Sequence, residues 1–156
     1  MKRPSPIPEE FRTITPHLVV RDVSRAVEFY RQGFGAEEVL RNTTQDGSII
    51  HCELLLGDSR FFLVEENPEW GSQSPLGLGG TPVTLHLYVA DVDSDFARAV
   101  NAGAEVLMPL DDQFWGDRYG IVQDPFGHRW SLASRIEDLS PAELRRRANE
   151  AFRGEE

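Results

Sequence analysis

The chain has 156 residues, 40% of them hydrophobic and 27% charged, which fits one globular domain or two small modules sharing a core. A formal net charge of -10 argues against a nucleic-acid partner, whose phosphates it would repel, and no run of roughly 18 apolar residues offers a membrane span. One cysteine, Cys52, excludes an internal disulfide framework; the opening MKRPSPIPEEF lacks the apolar core of a signal peptide, so a cytoplasmic location is expected.

Residues 1–12 read as an N-terminal extension. A strand follows, in which Thr15, His17 and Val19 alternate with Ile14, Leu18 and Val20. Asp22 or Ser24 can cap the next helix, whose apolar face holds Ala26, Val27, Phe29 and Tyr30. Gly33 and Gly35 end that helix, and GAE leads into a second strand. SIIHCELLLGDSRFFLVEE, residues 48–66, is hairpin material turning at Gly57-Asp58. Residues 13–66 are therefore one βαβββ module. Residues 67–82, NPEWGSQSPLGLGGTP, read as a linker or flexible lid, and their GLGG has neither the lysine nor the strand of a phosphate loop.

The order then repeats. HLVVRDVS at residues 17–24 returns as HLYVADVD at 86–93, offset by 69 positions. Thr84, His86 and Tyr88 alternate with Val83, Leu85, Leu87 and Val89. Asp91 or Asp93 caps a helix with Phe96, Ala99 and Val100 on its apolar face, and Gly103 stops it before a second GAE. RYGIVQDPFGHRWSLAS, residues 118–134, turns at Asp124-Pro125-Phe126-Gly127. Residues 83–135 are a second βαβββ module. Residues 136–156 hold a C-terminal helix and tail, with Ser140 as N-cap, Pro141 in the first turn and Glu143 completing a capping box. Its Arg145, Arg146 and Arg147 read as a solvated face, with a dimer contact or pairing with acidic neighbours as alternatives.

Each half is a four-stranded sheet with a helix on one side. Two such halves can join into a curved, cup-like mixed sheet with helices outside, so the expected class is α+β with a C-terminal helix. A cup is a small-molecule site by default.

The duplicated βαβββ order and DPFGHRW near the end resemble the vicinal oxygen chelate superfamily, which includes glyoxalase I, bleomycin-resistance proteins, fosfomycin-resistance enzymes and extradiol dioxygenases. LDDQFWGDRYGIVQDPFGHRWSLAS followed by EDLSPAELRRRA resembles its PhnB-like branch more narrowly. The metal enzymes of the superfamily hold one divalent ion through two His and two Glu in the cup. Carried over position by position, those ligands fall on Thr15, Thr84, Ser131 and a site near Phe62 or Leu63, none of which suits a first-row metal. The resemblance therefore implies a metal-free, drug- or metabolite-sequestering relative, with a small organic ligand and a homodimeric state. No cofactor is expected.

His17 and His86 each lie one pleat beyond an empty ligand position, so they face the cup, as do His51 and Glu53. His17, His86 and Glu53 are candidate acid/base groups of an alternative lyase, isomerase or dioxygenase-type enzyme, or ligands of a displaced divalent metal; the further alternative is a polar, hydrogen-bonded wall. The candidate ligand-binding set is Thr15, His17, His51, Glu53, Thr84, His86, Tyr88, Trp115, Tyr119 and Ser131. Trp70, Trp115, Tyr119 and Trp130 offer stacking surfaces. In FWGDRYG, Arg118 is a candidate for recognising an anion, or else pairs with Asp117 to hold a loop. His128 reads as a turn or surface residue, and Cys52 as buried on the strand face opposite His51 and Glu53.

Overall fold

Alternation of polar and apolar residues in TLHLY and the β-branched pair in HLVV favour extended backbone with one face for a core. The computed structural model, which describes residues 1–153, makes both segments strands. The chain divides into two compact units, Met1–Thr81 and the residues from Pro82 on. Each is a four-stranded mixed sheet backed by a helix, so the class is α+β.

The first unit contains β1 (His17–Val20), α1 (Val23–Phe34), β2 (Glu37–Thr43), β3 (Ile49–Leu56) and β4 (Ser59–Glu65). Their spatial order is β1-β4-β3-β2, with β1 parallel to β4 and the other pairs antiparallel. Asp22 caps α1 by accepting the Arg25 N–H, and Gly35 ends it at φ 71°, a left-handed conformation that suits a residue without Cβ. Leu18, Val20, Cys52, Leu54, Phe61 and Leu63 are buried from the sheet, as are Val23, Ala26, Val27 and Tyr30 from the helix. Tyr30 meets Phe61 edge-on at 5.4 Å. Burial pushes the Cys52 thiol pKa up, so it is core rather than nucleophile.

Strand β1 begins at His17, and Thr15 lies before it. The sequence pattern places Thr15 in the strand, but Pro16 has no N–H to give a ladder. Its carbonyl instead accepts the Phe62 N–H at 2.8 Å.

Residues 67–81 fold within the first unit. Asn67 and Ser72 form a bridge around a single 3₁₀ turn, Pro68–Trp70, and Ser74 caps the short helix α2 (Pro75–Leu78). Glu66 holds this segment, accepting from the Ser74 N–H and hydroxyl while pairing with Arg21 at 2.9 Å.

The second unit repeats the plan with β5 (Thr84–Tyr88), α3 (Val92–Ala102), β6 (Glu105–Asp112), β7 (Asp117–Gln123) and β8 (Arg129–Arg135), in the order β5-β8-β7-β6. The repeated phrase thus takes the same place in both units: His17 pairs with Phe62, and His86 with Ser131, each across a parallel ladder. Asp91 caps α3, as Asp22 caps α1. Gly120 lies in β7 against α3; a Cβ there would sit 2.7 Å from the Phe96 ring and 3.0 Å from the Met108 carbonyl. Trp130 and Leu132 are buried on the same sheet face. Trp130 is therefore not a stacking surface: it is 2% exposed, and its Nε1 donates to Asp124 Oδ2 at 2.8 Å.

Helix α4 (Pro141–Ala151) starts at Ser140, whose hydroxyl accepts the Glu143 N–H at 3.1 Å. The capping box is only half made. The Glu143 carboxylate is held by Arg146 and Arg147 rather than by the cap. Arg147 also grips Glu137 at 2.7 Å, so acidic neighbours occupy Arg146 and Arg147. No helix among the described residues is long and apolar enough to cross a membrane.

The two guanidiniums lower the Glu143 pKa from 4.5 to about 2. A carboxylate depressed on folding stabilises above its unfolded pKa and loses that contribution as pH falls through its folded one. The protection of the α4 amides, taken relative to their intrinsic exchange rates at each pH, should therefore fall as pH drops from about 4.5 towards about 2, and Glu143→Gln should weaken that response. Equal pH dependence in both proteins would contradict it.

Candidate functional site

Where a helix covers one face of each sheet, period-two alternation sends every other side chain to the open face. In the first unit that face carries His17 and Val19 from β1, His51 and Glu53 from β3, and Arg60, Phe62 and Val64 from β4. His51 lies 4.7 Å from Phe62 and 6.2 Å from His17 between ring centroids, and Phe11 packs on Phe62 at 5.6 Å. Glu53 is buried and ion-paired with Arg60, whose guanidinium lies over Phe11. The pair holds the extension to the sheet and leaves Glu53 engaged. His51 Nδ1 is buried without a hydrogen-bond partner among the described residues. A hollow of about 940 Å³ runs along His17, Val19, Ile49, Val64 and Trp70, the last 85% exposed.

The open face of the second sheet is organised differently. The His86 ring meets Tyr88 edge-on at 4.6 Å and stacks with Tyr119 at 5.8 Å; Tyr119 meets Trp115 at 5.3 Å. Four rings thus form a continuous wall. Asp117, 4% exposed, anchors it from below. One of its oxygens accepts both the Tyr88 hydroxyl at 2.9 Å and the Trp115 Nε1–H at 3.0 Å. Tyr88 still exposes 67% of its surface, so its ring is fixed at one end and open to a ligand. His86 Nδ1 lies 2.7 Å from Ser131 Oγ. Thr84 is exposed at the start of β5, in register with Arg129. A hollow of about 570 Å³ borders the wall at Tyr88, Val89, Ala90 and Arg135.

Of the ten residues that the sequence reading set on one wall, His86, Tyr88, Trp115, Tyr119 and Ser131 lie together in the second unit, while His17, His51 and Glu53 share the open face of the first. The reading missed what Asp117 does. Asp117 does not pair with Arg118, which points to the other side of the sheet and holds Asp93 and Asp112. Arg118 is therefore engaged by two carboxylates rather than displayed to an anion. Arg60 and Phe11 were also missed; a basic residue two before Phe62, diagonal to Glu53 across the β3–β4 ladder, was the available signal.

The hydrogen bond that the Tyr88 phenol donates to Asp117, then burial and the nearby negative charge, hold it above its ordinary value of 10.0. Asp117→Asn should bring the Tyr88 titration back down, read from the chemical shift of its phenol carbon. An unmoved midpoint would contradict the contact.

The divalent ion held by metal enzymes of the resembled superfamily can be tested against these residues. Thr15, Thr84, Ser131 and Phe62 or Leu63 stand at the positions carried over for its ligands, and the Ser131 hydroxyl is already hydrogen-bonded to His86. Among the described residues no three His, Cys, Asp or Glu side chains gather as an ion would need. The residues present do not fit a divalent metal.

Comparison with known proteins places this geometry in a wider set. The Glyoxalase/Bleomycin resistance protein/Dioxygenase superfamily profile matches residues 12–132. An uncharacterized Mycobacterium bovis protein is 46% identical over 134 residues, covering 84% of this chain and 88% of its own. An Arabidopsis thaliana gene product superposes with TM-score 0.64 at 30% identity, over 79% of this chain and 98% of that one. TioX from Micromonospora sp. ML1 superposes with TM-score 0.63 at 28% identity, over 83% and 100%.

Proposed function

The chain belongs to the Glyoxalase/Bleomycin resistance protein/Dioxygenase superfamily, and we propose that it binds a small, flat organic molecule against the ring wall of its second sheet, without a metal. The observation that carries this is the anchoring of exposed Tyr88 and half-buried Trp115 by one buried carboxylate, which orients both rings before any ligand arrives. Rings held in place lose little side-chain freedom on binding, so more of the contact energy is retained. The larger hollow lies in the first unit, but there the buried acid is spent on Arg60 and one imidazole nitrogen has no partner among the described residues. The oriented wall is the better site. A net charge of -10 favours neutral or cationic ligands over anions.

This is a sequestering role, with storage or self-protection as its use. The PhnB-like branch, a homodimeric state and a cytoplasmic location belong to the same proposal and are supported by the C-terminal motifs, the exposed sheet edges and the single cysteine, Cys52. A metal assay of purified protein with a thermal-shift screen tests it. The expected result is a substoichiometric metal content, no response to Mn, Ni or Zn ions, and a raised unfolding temperature with the flat cation proflavine. Stoichiometric metal together with stabilisation by one of those ions would favour the enzymatic alternative built on His17, His86 and Glu53.

A further inference from the structure

We infer that His86 presents its Nε2–H as a hydrogen-bond donor beside the ring wall, so that the molecule bound there is a flat one bearing an in-plane acceptor such as a carbonyl oxygen. The inference rests on the ring-wall reading above and names the ligand chemistry it leaves open.

The argument starts at Ser131. Its side chain is 2% exposed, and among the described residues its hydroxyl has one hydrogen-bond partner, His86 Nδ1 at 2.7 Å. A hydroxyl has one proton to place and a neutral imidazole has one nitrogen that accepts. If Nδ1 carried the proton, it would donate to Ser131 Oγ, and the Ser131 proton would be left buried with nowhere to go. An unmade buried hydrogen bond costs on the order of 1–3 kcal/mol. If Ser131 donates to Nδ1, both atoms are satisfied. The second arrangement puts the imidazole proton on Nε2, because the hydrogen bond made by one ring nitrogen sets the state of the other.

Nε2 lies on the far edge of the ring from Ser131 and has no hydrogen-bond partner among the described residues. His86 itself is exposed, with Tyr88 edge-on to it and Tyr119 stacked. A flat ligand stacked on the wall therefore meets an N–H at its edge, and an acceptor in the ligand plane is the group that answers it. The first unit has no such device: Phe62 stands where Ser131 stands, opposite His17.

Two measurements test this together. Long-range proton–nitrogen NMR reads the tautomer directly. It should show His86 protonated at Nε2 in the wild type, and a mixture of tautomers in Ser131→Ala. The matched probes 9-fluorenone and fluorene have nearly the same flat shape and differ in the carbonyl. Fluorenone should bind about five- to tenfold more tightly, as one added hydrogen bond allows. That preference should vanish in His86→Phe, so that the ratio of the two affinities falls to about one. A proton found on Nδ1, or equal affinity for the two probes in the wild type, overturns the inference and leaves the ring wall standing. Failure of both probes to bind overturns the ring-wall reading, and the ligand class falls with it.

Discussion

Replacing Asp124 by alanine is expected to be among the most destabilising single changes in this protein, at about 3–5 kcal/mol. Asp124 is 3% exposed and sits at the head of the DPFG turn between β7 and β8. One oxygen accepts the Phe126 and His128 backbone N–H groups at 2.9 and 3.0 Å, and the other accepts Trp130 Nε1–H. Alanine removes an acceptor for three N–H groups at once, two of them wholly inside. Each orphaned donor costs on the order of 1–3 kcal/mol, less where a water can enter. Against a typical total of about 5–15 kcal/mol, the loss is a large fraction. Asp124→Asn should recover part of it, because the amide oxygen can still close the turn while its NH₂ faces the indole donor. Urea unfolding of the three proteins reads this directly. An alanine variant within about 0.5 kcal/mol of the wild type would mean that the turn closes without the carboxylate.

Asp117→Ala should weaken binding of proflavine by about tenfold or more, while Arg118→Ala leaves it nearly unchanged. The two residues are adjacent in β7 but face opposite sides of the sheet. Removing the Asp117 carboxylate frees the Tyr88 hydroxyl and the Trp115 indole to seek water, and each gains rotamers that a ligand must then freeze. Ordering such side chains costs roughly 0.5–1.5 kcal/mol each on binding. Loss of the buried charge next to the rings also removes attraction for a cation. Arg118 is tied to Asp93 and Asp112 on the helix side, so its loss should be felt as a small change in stability. Fluorescence titration of the two variants distinguishes these outcomes. Equal weakening by both would point to a general loosening of the second unit rather than to the wall.

Much of this was written in the chain in plain form. The 69-position echo of HLVV and HLYV foretold two units of one plan, because the same alternation, cap and glycine stop must fold the same way. Period two put His86 on the cup face, the resemblance put Ser131 there, and the ladder sets the two opposite each other. The same period argued against Trp130 as a stacking surface. Trp130 is adjacent to Ser131 in a strand, so the two cannot share a face, and the indole goes to the core with Asp124. Thr15 was misplaced because alternation was extended through Pro16, which cannot donate to a ladder.

The sequence was silent where a contact joins distant residues through their side chains. Asp117 is 29 positions from Tyr88, and Arg118 is 25 from Asp93; neither spacing has a periodicity to announce it. The FWGDRYG string suggested an Asp–Arg pair because neighbours in sequence are easy to join on paper. In a strand they point apart. The carboxylate that orients the wall therefore had to be found from coordinates.

The most direct test of a metal-free ring wall is an NMR titration of proflavine into chelator-treated protein. Saturable one-site binding that moves the Trp115 indole, Tyr88 and Tyr119 signals, and leaves Trp70 and Trp130 in place, is the predicted result. Binding that appears only when Mn, Ni or Zn ions are restored, or shifts confined to other residues, would contradict it.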